Sequence, residues 1–224
     1  DRLNIEETHR FSHRPVFTRE GLQWDVLRLW SDIKTGIGVS SERFSKEIHS
    51  IAVDTWGVDF ALLDKQGSLI SNPFHYRDRR TLGMVEAAFG MVPKKVIYES
   101  TGIQFLQLNT LYQLLSLVVS KSPLLQVAER FLMLPDFFNY WLCGSQKSEF
   151  TIATTSQCLS PNTGDWAVDL LEKFAIPTKI FPEIIQPGEI LGSIHEPLAR
   201  ETNLGNIPIT AVACHDTGSA VAAI

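Results

Sequence analysis

The apolar residues of this chain change their spacing from a helical period to a strand-like period and back several times. An apolar stripe at helical spacing follows Asp25, a residue type that caps helices, and it comprises Val26, Leu29, Trp30, Ile33 and Ile37. The short apolar runs at 48–54 and 58–63 are instead typical of strands. Interleaved strands and helices predict an α/β fold, and 224 residues fit one large domain or two small ones.

Cap and turn residues refine this prediction in the first part of the chain. Alternating polarity predicts a half-buried strand over 3–11, with a short partner at 21–24. The helix that Asp25 opens is expected to end near Gly36 or Gly38, because glycine favours helix ends.

Similar signals continue further along the chain. Residues 64–67 (Asp-Lys-Gln-Gly) predict a hairpin turn, and 110–113 (Thr-Leu-Tyr-Gln) match a capping box that opens an apolar helix. Residues 130–142 predict a strand followed by an aromatic-rich helix that Gly144 closes. Asp165 is expected to cap another helix.

Composition and charge exclude several classes of partner. The net charge of −5 and the scattered Lys and Arg residues disfavour binding to nucleic acid or to acidic membranes. No apolar run reaches the roughly 18 residues of a membrane span. Cys143, Cys158 and Cys214 are widely separated and suggest neither a disulfide framework nor a zinc site, so a cytoplasmic location is predicted.

The most informative local pattern lies near the end of the chain. Residues 207–214 form an apolar strand pattern, and 215–218 (His-Asp-Thr-Gly) form the predicted turn into a helix of small residues. Ligand crevices form at such strand ends in open α/β sheets, and a carboxylate there can accept a proton during phosphoryl transfer. Asp216 is therefore a candidate base, although an Asp at this position more often only caps the helix.

Two further segments could bind a ligand. Residues 54–57 (Asp-Thr-Trp-Gly) place an aromatic face and a glycine at a strand end, which suits a sugar, while a tight hairpin with a core tryptophan is the more frequent alternative. Residues 76–80 (Tyr-Arg-Asp-Arg-Arg) could hold a phosphate or a substrate, although an exposed ion-paired loop is favoured.

Known nucleotide and metal motifs are absent from the sequence. None of the phosphate-loop, dinucleotide, nucleophile-elbow or zinc-helix patterns occurs. Five isolated histidines make a protein metal site improbable and are interpreted as solvated or capping residues: His9, His13, His49, His75 and His195.

Six segments together resemble one family. They are IAVDTWGVDF at 51–60, YRDRR at 76–80, GIQF at 102–105 with NTLYQL at 109–114, LPDFF at 134–138, ATT at 153–155 and HDT at 215–217. They occur in the order seen in rhamnulokinases of the FGGY family of carbohydrate kinases, and the likeness runs from about residue 3 to the end of the chain.

This resemblance implies a fold, a reaction and a set of site residues. The fold would be ribonuclease-H-like, of the actin and hexokinase type, with a mixed sheet and flanking helices in each half of a two-domain kinase. The reaction would transfer the γ-phosphoryl of ATP, with Mg²⁺, to the 1-hydroxyl of L-rhamnulose, giving L-rhamnulose 1-phosphate. By match to the family's motifs, Asp216 would be the proton acceptor, and Gly57, His215 and Thr217 would contact the sugar.

The sequence departs from the family pattern at three places. Residues 1–224 are expected to be most of the sugar-binding first domain, without the family's opening strand and phosphate loop and without the second, adenosine-binding domain. Gln107 and Leu108 also replace an expected Pro-aromatic pair. The alternatives are another ketose or polyol kinase of the family and a non-catalytic sugar-binding module.

Overall fold

The computed structural model describes residues 4–44 and 47–223 of the chain. The helices in this part run over Val26–Phe44 (α1), Met84–Met91 (α2), Lys94–Thr101 (α3), Thr110–Val119 (α4), Leu124–Val127 (α5), Leu134–Cys143 (α6), Phe150–Thr154 (α7), Val168–Lys173 (α8), Glu196–Glu201 (α9) and Asp216–Ala222 (α10). The strands run over Val16–Thr18 (β1), Gly21–Gln23 (β2), Phe60–Leu63 (β3), Arg130–Met133 (β4), Ser148–Glu149 (β5), Leu159–Ser160 (β6), Asp165–Trp166 (β7), Ile184–Ile185 (β8), Ile190–Ser193 (β9) and Pro208–Thr210 (β10). Short 3₁₀ segments lie at Arg79–Thr81 and Thr178–Ile180.

The strands associate in pairs that are both parallel and antiparallel. The pairs β1–β2, β3–β4, β6–β7 and β9–β10 are antiparallel, and β5–β8 is parallel. Isolated parallel bridges also join Ile51 to Ile209 and Thr55 to His215. The backbone at 51–55 therefore runs beside the segment that leads into α10.

The core lies on both faces of the β3–β4 pair. Alternate residues of the two strands belong to two separate apolar clusters, with Phe60 and Phe131 on one face and Ala61 and Leu132 on the other. Helix α4 contributes Leu111, Leu114 and Leu115 to the first cluster, and α1 and α6 contribute to the second. Burial of both faces explains why the strands read as continuous apolar runs rather than as alternating ones.

Several predicted elements are confirmed. Asp25 caps α1 by accepting a hydrogen bond from the Arg28 amide at 3.1 Å, and Gly144 ends α6 in the left-handed conformation with φ of 80°. Asp64 closes the predicted hairpin turn by accepting from two amides within 64–68, and α4 begins at Thr110.

Helix α1 does not end where the glycines predict. It continues through Gly36 and Gly38 to Phe44. A Cβ atom on Gly36 would lie 3.4 Å from the His9 ring, so the glycine allows the N-terminal segment to pack closely against the helix. Tertiary packing offsets the roughly 1 kcal/mol that each glycine costs a helix.

Two predicted strands are wrong. Residues 4–15 contain neither helix nor strand, and the strand nearest to the prediction is β1; Leu3 lies outside the described residues. Residues 48–54 contribute an isolated bridge at Ile51 rather than a strand. Neither alternating polarity nor a short apolar run specifies a pairing partner, which a strand requires.

Two predicted helix caps are also wrong. The Thr110 side chain lies inside α4, whose N-cap is Asn109, and it donates to the Val58 carbonyl at 2.6 Å instead of capping. Asp165 belongs to β7, and α8 starts only after Ala167. Both polar side chains make other hydrogen bonds instead, and a local sequence pattern does not predict these.

None of the described helices combines the length and the apolar character needed to cross a membrane.

Candidate active site

An open groove of about 480 Å³ lies between the turn after residue 54, the end of α7 and the start of α10. Its lining residues are Trp56, Gly57, Val58, Tyr76, Ile103, Leu106, Leu108, Asn109, Thr154, Thr155 and His215. Two of the predicted substrate residues, Gly57 and His215, therefore face one groove. The walls are mostly apolar, with polar groups concentrated near the two turns.

The turn at Gly57 is tightly packed against α7. A Cβ atom on Gly57 would lie 2.9 Å from the Thr155 Cβ, so only glycine fits without a shift of the backbone. Val58 adopts the left-handed conformation with φ of 69°, which is strained for a β-branched residue. Its amide donates to the Thr155 hydroxyl at 3.0 Å and its carbonyl accepts from Thr110, so hydrogen bonds on both sides hold the strained residue.

A buried carboxylate lies beneath this turn. Asp59 is fully buried and accepts hydrogen bonds from the indoles of Trp24 (2.7 Å) and Trp56 (2.9 Å) and from the Gln113 amide (3.1 Å). Burial raises the pKa of Asp59 above its usual value, although these three donors act in the opposite direction. The network fixes Trp56, whose ring also stacks on His13 with centroids 5.4 Å apart.

The cluster at 76–80 contacts the same network through Arg80. Arg77 and Arg79 are exposed, but Asp78 and Arg80 are largely buried, so the interpretation as an exposed ion-paired loop is wrong for those two residues. Arg80 donates to the Gln113 side chain at 2.6 Å and covers the Phe74 ring at 4.0 Å. Burial lowers the pKa of Arg80 to about 10.

One histidine near this network also differs from the prediction. His75 is buried rather than solvated, and its Nδ1 accepts a hydrogen bond from the Arg77 amide at 3.0 Å. Burial lowers its pKa below the usual histidine value.

The second turn, at 215–217, joins the first through the backbone. The Thr55 amide donates to the Cys214 carbonyl at 3.0 Å, and the Asp216 amide donates to the Thr55 carbonyl at 2.9 Å. His215 precedes α10 as its N-cap residue, and Asp216 is its first residue. The predicted junction between an extended segment and a helix is therefore present. It pairs with Thr55, which precedes Gly57 by two residues.

The Asp216 side chain is directed to solvent rather than into the core. It is 55% exposed, and its Oδ1 accepts from the Thr217 amide at 2.6 Å and lies 3.3 Å from the His215 Nε2. Among the described residues, none donates to Oδ2. Asp216 and Thr217 do not line the groove themselves but follow His215, which does.

Sequence reasoning missed the buried carboxylates that support both turns, Asp59 and Glu149. Glu149 accepts from the Cys214 amide at 3.0 Å and so lies beneath the second turn. An acidic residue within an apolar run was the available signal for Asp59, because burial of a carboxylate requires several donors. Among the described residues, no group of three or more His, Cys, Asp or Glu side chains is placed to hold a metal ion.

The family model for the N-terminal domain of the FGGY family of carbohydrate kinases matches residues 6–223. The chain belongs to this family. It is 39% identical over 222 residues to a rhamnulokinase of Bacteroides thetaiotaomicron, with 99% of this chain and 46% of that protein covered. It is 41% identical over 219 residues to a rhamnulokinase of Pectobacterium atrosepticum, with 98% and 43% covered. The chain thus spans less than half the length of these two relatives.

Solved structures of sugar kinases share the fold. A ligand-bound xylulose kinase from Lactobacillus acidophilus superposes with a TM-score of 0.81 at 18% identity, over 89% of this chain and 41% of that one. A glycerol kinase from Plasmodium falciparum with ADP gives 0.77 at 16% identity, over 90% and 42%. The predicted α/β fold of the actin and hexokinase type is therefore confirmed for this FGGY chain.

Proposed function

We propose that this chain is the sugar-binding first domain of a two-domain FGGY kinase that phosphorylates the 1-hydroxyl of L-rhamnulose with ATP. The observation that carries the proposal is the backbone pairing of Thr55 with 214–216, because it joins the turn at Gly57 to the turn that carries Asp216, and residues of both turns, Gly57 and His215, line one groove. The rhamnulokinase relatives at 39–41% identity support the choice of substrate.

In the proposed mechanism Asp216 is the general base. The oxygen Oδ1 is held by the Thr217 amide, which orients the carboxylate and leaves Oδ2 to accept the proton of the attacking sugar hydroxyl. That hydroxyl must come within about 3 Å of the carboxylate oxygen for the transfer. His215, Thr217 and the backbone at Gly57 would hold the sugar in this position.

The apolar part of the groove suits a deoxy sugar. L-Rhamnulose carries a methyl group at the carbon farthest from its reactive end, and Ile103, Leu106 and Leu108 provide an apolar wall. Burial of one methyl group contributes about 0.8 kcal/mol, which favours this sugar modestly over a fully hydroxylated ketose. The wall thus supports the proposed substrate over other ketoses and polyols.

ATP and Mg²⁺ are the proposed co-substrate and metal, and their contacts are proposed to lie mostly outside this chain. The described residues offer no complete set of metal ligands, so we assign no step of the mechanism to a metal held by them. The 224-residue chain by itself is proposed to be inactive. The cysteines Cys143, Cys158 and Cys214 are free, which suits the reducing cytoplasm as the proposed location.

The deciding experiment uses the longer kinase proposed to contain this domain. Ketoses and polyols are tested with ATP and Mg²⁺, and then Asp216→Asn is compared with Asp169→Asn, an exposed carboxylate on α8. We expect preference for L-rhamnulose and a fall in kcat of about 100- to 10,000-fold for Asp216→Asn only, with sugar affinity within about threefold. A variant Asp216→Asn with near-normal turnover would show that the base lies elsewhere or that the domain is a non-catalytic sugar-binding module.

A further inference from the structure

Helix α7 lies between the two turns of the candidate site. It has only five residues, Phe150–Thr154, and an isolated helix of this length is not stable in water. Its position therefore depends on tertiary contacts, which are the packing of Ile152 and Ala153 in the core and hydrogen bonds at its two ends. Both ends make hydrogen bonds to the candidate site.

Glu149 is fully buried and caps the start of α7. Its carboxylate accepts from the amides of Thr151 (2.8 Å) and Ile152 (3.2 Å), which caps the helix, and from the Thr151 hydroxyl (2.6 Å). The fourth donor is the Cys214 amide at 3.0 Å, which comes from the distant chain segment just before the second turn. One carboxylate thus binds both the helix and that turn.

Thr151 extends this connection by one residue. Its hydroxyl donates to Glu149 and accepts from the His215 amide at 3.3 Å. The two consecutive amides that precede Asp216 therefore both end on the Glu149–Thr151 pair. Asp136 of α6 anchors the pair in turn, because it accepts from the Glu149 amide at 3.1 Å.

The opposite end of α7 makes contact with the first turn. Thr155 follows the helix as its C-cap residue, accepts from the Val58 amide at 3.0 Å and packs against the Gly57 backbone. The helix is therefore a second connection between the two turns, beside the backbone pairing of Thr55 with 214–216. Loss of the hydrogen bonds at its start would remove the support of the backbone at 214–215, while the contacts of Thr155 with the turn at Gly57 stayed in place.

We propose that Glu149 and Thr151 are positioning residues that hold Asp216 in register with the sugar turn at Gly57, with α7 as the spacer between them. This inference rests on the proposed function of the site. Glu149 and Thr151 do not line the groove. They act on the reaction through the backbone of 214–216, and a misplacement of about 1 Å there is enough to lower turnover about 100-fold.

The test uses Thr151→Val in the longer kinase, because valine keeps the shape and removes the hydroxyl. Thr151→Ser restores a hydroxyl. Thr202→Val is the control for loss of a threonine hydroxyl away from the site, since the hydroxyl of the buried Thr202 donates to the Leu198 carbonyl of α9 and to no other described residue. We expect Thr151→Val to lower kcat about 10- to 100-fold with KM changed less than about threefold, and serine to recover most of the loss. Thr202→Val should leave kcat unchanged.

A second readout separates this inference from the proposed function. Amide hydrogen exchange at Cys214 and His215 should become about fivefold faster in Thr151→Val, and still faster in Glu149→Gln, whatever the enzyme's substrate. If the parent kinase phosphorylates no sugar but exchange responds as expected, only the proposed function fails. If kcat and exchange in Thr151→Val match the parent, or if Thr151→Val and Thr202→Val lower kcat equally, the positioning role is refuted.

Discussion

The two turns of the candidate site each lie above a buried carboxylate, but the two carboxylates are held differently. Asp59, beneath the turn at Gly57, receives three side-chain donors from residues up to 54 positions away in the sequence. Glu149, beneath the turn at Asp216, receives mostly backbone amides, two of them from its own helix α7. One turn is fixed by the packed core and the other by the capping of a short helix.

Because of this difference, we expect substitutions around Asp59 to lower the stability of the fold, and substitutions near Asp216 to change mainly the geometry of the site. The groups around Asp59 join α4, the segment between β2 and α1, and the turn before β3, so their loss should disturb the whole domain. Helix α10, by contrast, has no buried residue over Asp216–Ala222, so changes there should alter the site with little effect on folding. We expect the first turn to tolerate few substitutions and the second to tolerate more.

The largest expected effect is that of Asp59→Ala. It leaves the indole N–H groups of Trp24 and Trp56 without their acceptor and removes one of the acceptors of the Gln113 amide. It also removes a buried negative charge that acts on Arg80 in addition to that of Asp78. We expect a loss of about 3–5 kcal/mol in the free energy of unfolding, measured by urea denaturation. Asp216→Ala should cost less than about 1 kcal/mol, because its side chain is 55% exposed. Equal losses in the two variants would contradict the comparison.

The hydrogen-bond network around Glu149 should make the stability of the domain depend on pH. Burial raises the pKa of Asp136, the anchor of Glu149, to about 8, although hydrogen bonds from Ser148 and the Glu149 amide act in the opposite direction. In the unfolded chain the value is about 3.9. The folded state therefore binds more protons between these values, so the stability that Asp136 contributes is complete below about pH 4 and is lost as the pH rises through about 8.

The corresponding variant is Asp136→Asn, which does not titrate. We expect the unfolding free energy of the parent, relative to this variant, to fall by up to about 2.7 kcal/mol between pH 5 and pH 7. Asp169→Asn, an exposed carboxylate on α8, should show no such trend. A difference between the parent and Asp136→Asn that stays constant with pH would show that Asp136 remains ionised in the folded protein.

The contrast between the turns also explains what the sequence could predict. Helix α4 and the β4–α6 unit follow from apolar spacing and from Gly144, because local signals determine them. The position of Asp216 at the start of a helix could be predicted because an apolar run followed by a turn and small residues is visible in the sequence. The hydrogen-bond partners of Asp59 could not be predicted, since Trp24 and Gln113 are brought to it only by the fold.

The strand predicted at 48–54 failed for the same reason. Its apolar run is real, but the backbone pairs with the 208–214 segment only at isolated positions such as Ile51. Pairing depends on a partner remote in sequence, and hydrophobic period carries no information about it. The sequence therefore identifies what is locally encoded and misses what long-range contacts decide.

A smaller effect is expected at the glycine of the first turn. Gly57→Ala places a methyl group 2.9 Å from the Thr155 Cβ, and neither backbone can move freely because Val58 is bonded on both sides. We expect destabilisation of about 1–3 kcal/mol by overpacking, measured by urea denaturation, together with weaker sugar binding, measured by titration calorimetry. If Gly57→Ala binds sugar and unfolds like the parent, the close approach to Thr155 is not needed.

The smallest effect is expected for Gly218→Ala, which tests whether the second turn is packed less tightly than the first. Gly218 is helical, and a Cβ atom there would meet the Ala213 Cβ at an ordinary contact distance of 3.5 Å. Gly218→Ala should therefore raise the free energy of unfolding by about 0.5–1 kcal/mol, as alanine does in helices. Gly38→Ala in α1 is the control and should give a similar gain, because an added Cβ there has no packing neighbour within 4 Å among the described residues. If Gly218→Ala destabilises as much as Gly57→Ala, the second turn is packed as tightly as the first, and its register with the groove does not depend on Glu149 and Thr151 alone.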